Sequence, residues 1–134
     1  MFLVKKYLFL LIVCSIFIPV VAFQGFKIQD EIINCFKAGN SKILSNYFNE
    51  NVEMAIPGIK NIYSKAQAQQ ILSKFFSENK PVSFEILTST PENDAQNIIG
   101  LLKTRNGIFR VYILSKKTGQ KDNIHLLKIE KRQN

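Results

Sequence analysis

The fold is decided by residues 97–114, NIIGLLKTRNGIFRVYIL, in which two apolar runs flank the dipeptide Asn106-Gly107. An Asn-Gly pair favours a two-residue type I′ turn, because both central positions of that turn need a positive φ angle. The pattern therefore predicts a β-hairpin, with Leu102 opposite Val111 and Thr104 opposite Phe109.

Thr118-Gly119 is a weaker turn signal further along the chain. A loop centred on it places Ile113 opposite Ile124 and Tyr112 opposite His125. With strands also predicted over residues 82–87, 97–104, 108–115 and 123–130, the C-terminal half is expected to form an antiparallel meander.

Alternation of side chains along these strands predicts two different sheet faces. The face expected to pack against helices is almost wholly apolar: Ile98, Leu102, Phe109, Val111, Ile113, Ile124 and Leu126. The opposite face mixes apolar and basic residues: Ile99, Leu101, Lys103, Arg105, Ile108, Arg110, Tyr112, Leu114, His125, Leu127 and Ile129. That second face is too apolar to be left simply in water.

Helical periodicity dominates the first half of the domain. A first helix is predicted over residues 27–38, and a short second one from Asn40 or Ser41, with Ile43, Leu44, Tyr47 and Phe48 on one side. Residues 52–56 alternate as a strand before Pro57-Gly58, and residues 59–63 are expected to pair back. Ser64 and Gln67 have capping-box spacing, so a third, strongly amphipathic helix is expected to begin there and to end at Asn79 and Pro81.

The N-terminus has the pattern of a secretory signal peptide over residues 1–22. Lys5-Lys6 precedes an uncharged apolar run over residues 7–18, and Val20-Val21-Ala22 supplies a small residue at the expected cleavage site and a tolerated one two positions before it. An uncleaved membrane anchor is the alternative, but the run is shorter than the roughly 20 apolar residues that a spanning helix needs. We therefore expect an exported protein, periplasmic or secreted, whose residues 23–134 form a single domain.

The charge of the chain is concentrated near its C-terminus. The formal net charge is +8, and loss of Lys5 and Lys6 with the signal leaves +6. Residues 103–134 carry nine basic and two acidic side chains, whereas residues 23–102 carry seven basic and eight acidic ones. No nucleic-acid-binding motif accompanies this excess, and an exported protein seldom meets nucleic acid, so lipid head groups or anionic glycans are the better anions. Alternatively, the same lysines need no anionic partner, because lysines keep a protein soluble and prevent sheet edges from pairing with other chains.

Cysteine and histidine are too few for a structural metal site. Cys14 lies in the signal, which leaves Cys35 without an intramolecular partner and predicts a buried, unreactive thiol on the first helix. The sequence holds a single histidine, His125. Neither a metal nor a cofactor is predicted.

Four stretches carry a family resemblance: residues 36–40 (FKAGN), 63–68 (YSKAQA), 106–112 (NGIFRVY) and 128–131 (KIEK). They are similar to small exported proteins of Bacteroidota grouped as domain of unknown function 4783, over about Ile28 to Glu130. The resemblance implies an α+β fold of the nuclear transport factor 2-like, or cystatin-like, class: a cone in which a curved antiparallel sheet packs on about three helices. The family carries no known activity, so the resemblance implies none.

The same superfamily includes isomerases, dehydratases and epoxide hydrolases that work inside the cone with carboxylate and Tyr or His groups. The core-facing strand positions here carry no Asp or Glu, and the carboxylates are expected in turns, at helix ends or on the opposite sheet face. No catalytic residue is therefore assigned. The sequence favours a non-enzymatic domain that binds a small ligand or a partner, and a small isomerase or hydrolase acting in the sheet cavity is the alternative.

One polar cluster is predicted on the second sheet face. Arg110, Tyr112 and His125 are expected to lie together there, where they could bind a small anion, although a surface or partner-interface residue is the favoured interpretation of a single histidine on such a face. The ligand is otherwise expected to be a small apolar molecule. The apolar residues of the same face predict a homodimer with Tyr112 and Leu114 near its centre, as cone-fold domains often form.

Cleavage after Ala22 gives a mature protein that begins at Phe23. The expected result is an intact mass equal to that of residues 23–134 for the exported protein, measured by mass spectrometry. A chain that retains Met1 and stays in the membrane pellet after an alkaline wash would instead be an uncleaved anchor.

Overall fold

The computed structural model describes residues 4–5 and 24–133 of the 134-residue chain. The predicted cleavage site at Ala22 and Phe23 lies outside the described residues. Over residues 24–133 the elements follow in the order α1 (Gln24–Ala38), α2 (Ser41–Ser45), β1 (Phe48–Ile56), β2 (Ile59–Ser64), α3 (Lys65–Glu78), β3 (Pro81–Glu92), β4 (Ala95–Thr104), β5 (Gly107–Thr118) and β6 (Lys121–Lys131). Within this range, no helix has both the length and the apolar character to cross a membrane.

The strands form one mixed sheet in the order β2-β1-β6-β5-β4-β3. The meander from β3 to β6 is antiparallel throughout, as predicted, and β1 is hydrogen-bonded to β6 in parallel. Helix α1 packs against β3, and α3 packs against β1 and β2. The result is the predicted α+β architecture of a curved sheet covered on one face by three helices over residues 24–133.

The local helix signals are confirmed. Asn40 caps α2, since its side chain accepts a hydrogen bond of 3.0 Å from the Ile43 amide. Ser64 and Gln67 form the capping box of α3. Asn79 is the C-cap of this helix, and its amide donates to the Phe75 carbonyl at 2.8 Å. These bonds satisfy backbone groups that helix ends would otherwise leave without partners.

The second helix is shorter than predicted. It ends at Ser45, because the amides of Asn46 and Tyr47 turn back to the Ile43 and Leu44 carbonyls at 3.0 Å. Phe48 is therefore not a helical residue but the buried first residue of β1, opposite Ile124 of β6.

The first hairpin differs from the prediction by one turn position. Its two-residue loop is Arg105-Asn106, so that Leu102 lies opposite Phe109 rather than Val111. Gly107, at φ +142°, takes the positive φ, and Asn106 does not. The Asn106 side chain donates to the Glu78 carbonyl at the end of α3, and this tertiary contact holds the loop in its register.

The second hairpin differs more. Its loop is Gly119-Gln120, and His125 then forms a β-bulge, an extra residue on β6 between the pairs Ser115–Ile124 and Leu114–Leu126. The predicted pairs Ile113–Ile124 and Tyr112–His125 are wrong: Ile113 faces Leu127 and Tyr112 faces Lys128.

A shift by one residue exchanges the two faces of a strand. Beyond the bulge, Leu127 and Ile129 are therefore buried in the core, and Leu126, predicted to be buried there, lies half-exposed on the opposite face. Moving each turn by one position shifts the strand pairing by two residues. Such a shift changes the partner of each residue but not the sheet face on which it lies, so the predicted faces of β4 and β5 are unaffected.

Aromatic rings fill the space between α1, α3 and the sheet. Phe36 of α1 stacks on Phe84 of β3 with ring centroids 4.6 Å apart, and Phe76 of α3 meets the Phe36 ring edge-on at 5.8 Å. Phe75 meets Phe109 edge-on at 5.2 Å. Gly100 lets the Phe84 ring lie directly on the β4 backbone, since a Cβ atom at that position would overlap the ring.

Cys35 is buried among these groups and is a free thiol, as predicted. Burial raises its pKa, and the negative charge of Glu31 raises it further. The sulfur is therefore a protonated packing group at neutral pH, not a nucleophile.

Gly100→Ala should lower the free energy of unfolding by about 1–3 kcal/mol, because the added methyl group forces the Phe84 ring off the strand. Urea denaturation measures the change. In a Phe84→Leu background the same substitution should cost clearly less, since the obstructing ring is gone. An equal cost in both backgrounds would show that the ring is not what Gly100 accommodates.

Candidate functional site

A pocket of about 390 Å³ lies between the first half of α1 and the start of β6. We call it the α1–β6 pocket. Its described lining residues are Ile28, Glu31, Asn46, Tyr47, Lys121, Asp122 and Asn123. Apolar contact from Ile28 and the Tyr47 ring is thus combined with carboxylate, amide and ammonium groups, which is the usual make-up of a small-ligand site.

Glu31 is the carboxylate that the helix carries into this pocket. Its position three residues after Ile28 and one before Ile32 puts it beside the buried stripe of α1, where it is half-buried. The expectation that the carboxylates lie in turns, at helix ends or on the far sheet face is therefore wrong for Glu31.

Tyr47 lies close enough to Glu31 for the carboxylate charge to affect the pKa of its phenol. Burial raises the pKa of the Tyr47 phenol, and the negative charge of Glu31 raises it further. The phenol is consequently a protonated hydrogen-bond donor at neutral pH. Its own backbone is fixed, because the Tyr47 carbonyl accepts a bond of 2.6 Å from the Ile124 amide.

The charges of the pocket favour a cation or a hydrogen-bond donor over an anion. Among the described lining residues, Glu31 and Asp122 outnumber Lys121, although the chain as a whole is basic. Within the described residues no group of three His, Cys, Asp or Glu side chains is arranged to hold a metal ion.

The residues predicted to bind an anion do not form one cluster. Arg110 lies opposite Glu130, and Tyr112 lies opposite Lys128, whose ammonium is 5.4 Å from the centre of the Tyr112 ring. Lys128 is in turn paired with Glu130 at 2.6 Å. The cross-strand contact between Tyr112 and His125, on which the predicted site depended, is absent from the pairing of β5 and β6.

His125 sits instead at the bulge, near the end of the second hairpin. Its Nε2 is 3.5 Å from the Thr118 hydroxyl. Burial lowers the pKa of the imidazole, and the positive charge of Lys116 lowers it further. The ring is thus mainly neutral at pH 7 and is poorly suited to attract an anion.

The sheet face turned away from the helices is the second candidate surface. We call it the outer face; its residues on β4 to β6 are Ile99, Leu101, Ile108, Arg110, Tyr112, Leu114, Leu126 and Lys128. Ile99 lies opposite Tyr112, and Leu114 opposite Leu126, which makes a continuous apolar centre of half-buried side chains. Glu85, Arg110, Glu130 and Lys128 surround it with charges of both signs.

The sequence analysis did not predict that Glu31, Tyr47 and Asp122 line the same pocket. A signal for Glu31 existed, since the positions Ile28, Glu31, Ile32 and Cys35 follow the i, i+3, i+4, i+7 pattern of one helix face. No local signal connects that face to Asp122, because the second hairpin alone brings Asp122 to the pocket.

Comparison with known proteins places the chain in a family. The model of the domain of unknown function DUF4783 matches residues 29–130. The chain is 31% identical to DUF4783 proteins of known structure from Bacteroides ovatus (TM-score 0.74) and Bacteroides uniformis (TM-score 0.75). Each alignment covers 78% of this chain, with 94% of the first protein and 97% of the second.

A more distant likeness identifies the fold class. An NTF-2-like protein of unknown function from Silicibacter pomeroyi is 11% identical with a TM-score of 0.58, over 80% of this chain and 92% of its own. At that identity the likeness concerns the fold alone. No curated protein is significantly similar in sequence.

The sheet order, the three covering helices and the family match agree with one another over nearly the whole described domain. The chain belongs to the DUF4783 family, a domain of unknown function with a nuclear transport factor 2-like, cystatin-like fold.

Proposed function

We propose that this protein is an exported, non-enzymatic binding domain that holds a small ligand in the α1–β6 pocket. The observation that supports the proposal is the make-up of this pocket: aromatic rings fill the centre of the cone, and beside them a pocket opens that combines apolar side chains with Glu31 and Tyr47. The signal-like residues 1–22 support export.

The lining groups define the ligand class. The Tyr47 ring and Ile28 offer an apolar wall, and Glu31 and Asp122 offer negative charge. A molecule with a compact apolar body and a primary ammonium group satisfies both, through ring contact and charge-assisted hydrogen bonds. The Tyr47 hydroxyl can donate one further bond, because burial keeps its pKa high.

Three probes of the same size and different charge test this ligand class: phenethylammonium, 2-phenylethanol and phenylacetate. Binding should weaken in that order, measured by NMR shift changes at Ile28 and Asn123. Glu31→Gln should weaken phenethylammonium binding about fivefold to tenfold, the loss of roughly 1–1.4 kcal/mol in charge-assisted bonding at a half-exposed site.

Glu53→Gln is the matched control, since Glu53 is an exposed carboxylate on β1 away from the pocket. It should leave all three affinities unchanged. Tighter binding of phenylacetate than of phenethylammonium would reject the cationic ligand, and shift changes confined to the outer face would reject the pocket.

An isomerase or hydrolase acting in the cone is the second candidate. One observation favours it: a carboxylate, Glu31, and a protonated phenol, Tyr47, line the same pocket, and such a pair can act as general base and hydrogen-bond donor. Binding ranks first because the buried core of the described domain holds only serine hydroxyls as polar groups, besides the Cys35 thiol.

We further propose that the outer face is covered by a second copy of this chain. A two-fold axis near Tyr112 and Leu114 would bring the two apolar centres together. Arg110 of one copy could then meet Glu85 or Glu130 of the other, so the mixed charges around the centre suit self-association better than a partner of one sign.

Sedimentation at micromolar concentration tests the dimer. The wild type should sediment as a dimer, and Tyr112→Asp and Leu114→Asp should each give a folded monomer, because a buried carboxylate at the centre costs several kcal/mol. Ile43→Asp on α2 is the control, since Ile43 is already 43% exposed and lies on a helix, on the side of the sheet away from the outer face. A wild-type monomer at high concentration would exclude self-association.

A further inference from the structure

Four of the nine basic residues of the segment 103–134 lie, together with Lys80, at one end of the sheet. In the antiparallel meander, the start of β3, the end of β4, the start of β5 and the end of β6 all lie at this end. We call it the basic end; its cationic residues are Lys80, Lys103, Arg105, Lys131 and Arg132, all exposed.

Backbone hydrogen bonds bring these residues together although they are far apart in sequence. The Arg105 amide donates to the Lys80 carbonyl at 3.1 Å, and the Arg132 amide donates to the Ile108 carbonyl at 2.8 Å. Ile108 also lies opposite Lys103, so that residue stands between two cations. Lys131 lies over Gly107 at the same turn.

Two of the acidic residues near this end are already engaged in ion pairs, and Glu85 of β3 is not. Glu130 pairs with Lys128 at 2.6 Å, and Glu78 lies 4.0 Å from Lys74. Neither of these ion pairs, the two found within the described residues, includes a cation of the basic end. An excess of positive charge therefore remains directed at solvent.

These cations are not needed to cap helix α3, whose C-terminus lies nearby. The Phe75 carbonyl accepts from the Asn79 amide and side chain, at 2.8 and 3.1 Å, and the Glu78 carbonyl accepts from the Asn106 side chain. With amides satisfying these carbonyls, the cationic side chains have no structural partner in α3.

An apolar side chain projects among the charges. Val82 falls in an irregularity of the β3–β4 register between Pro81 and Ser83, and it is 67% exposed. It lies two residues from Lys80 and is one of the most exposed large apolar side chains of the domain. A valine side chain exposed to water beside lysines and arginines does not contribute hydrophobic stabilisation to the fold.

We propose that the basic end docks on an anionic phospholipid surface, with the cations at the phosphate groups and Val82 in the interfacial layer. Cations combined with an exposed apolar side chain are the usual features of such peripheral contacts. A soluble polyanion would use the charges but leave Val82 without a partner. The contact is independent of the α1–β6 pocket, which lies at the opposite end of β6.

Flotation with vesicles measures the contact. The processed, exported protein should bind vesicles in which a third of the lipid is phosphatidylglycerol, and should bind phosphatidylcholine vesicles weakly. The double substitution Arg105→Gln with Arg132→Gln should weaken binding about 25-fold, at roughly fivefold for each cation near an anionic surface. Lys116→Gln with Lys117→Gln removes the same charge from the other end of the sheet and should have little effect.

The position of Val82 gives a second, independent measurement. The chain contains no tryptophan, so Val82→Trp introduces a single tryptophan, excited selectively over the tyrosines, whose emission should shift to shorter wavelength on anionic vesicles. Leu87→Trp, on the same strand and also exposed, should show no shift. Both sites are on the surface, so neither substitution threatens folding.

Three results would overturn the proposal. Equal losses for the two double variants would mean that net charge alone attracts the protein. Equal emission shifts at positions 82 and 87 would mean that no particular end meets the membrane. Binding to heparin oligosaccharides with undiminished affinity in the presence of excess anionic vesicles would assign the basic end to a soluble polyanion instead.

Discussion

The contact between the Phe84 ring and the bare backbone of Gly100 is the constraint from which the arrangement of the domain follows. The missing side chain at Gly100 lets the ring lie flat on β4, and Phe36 of α1 then stacks on it at 4.6 Å. Stacked and edge-on rings have preferred geometries, so this contact sets where α1 rests on the sheet. Glu31, about 7.5 Å earlier along the helix axis, is thereby placed at the α1–β6 pocket.

Features set by local chemistry could be predicted from the sequence. The capping box of Ser64 and Gln67, the Asn40 cap and the amphipathic stripe of α3 depend on residues a few positions apart, and each appears as expected. The antiparallel meander also follows from alternation and turn residues. These signals determine the type and order of the elements, and with them the fold class.

Register could not be predicted, because it depends on contacts between distant parts of the chain. The first turn is Arg105-Asn106 instead of Asn106-Gly107, and in this register the Asn106 side chain donates to the end of α3, a long-range bond that no local rule reports. The bulge at His125 exchanges the faces of Leu126 and Leu127. The pairing expected within the predicted anion site is wrong for the same reason: Arg110 and Tyr112 lie on the outer face as expected, but the residues opposite them are Glu130 and Lys128, not His125.

The bulge also explains why the outer face and the core can both be apolar along β6. Without it, strict alternation from Ile124 would bury Leu126 and Lys128 and expose Leu127 and Ile129. One extra residue buries Leu127 and Ile129 and turns Lys128 outward, where its ammonium reaches both Glu130 and the Tyr112 ring. Burying an unpaired lysine costs far more free energy than the few unpaired backbone groups of a bulge. The sequence Ile124-His125-Leu126-Leu127 does not by itself show which leucine faces the core. The need to keep Lys128 on the outer face decides it, and Leu127 is the buried one.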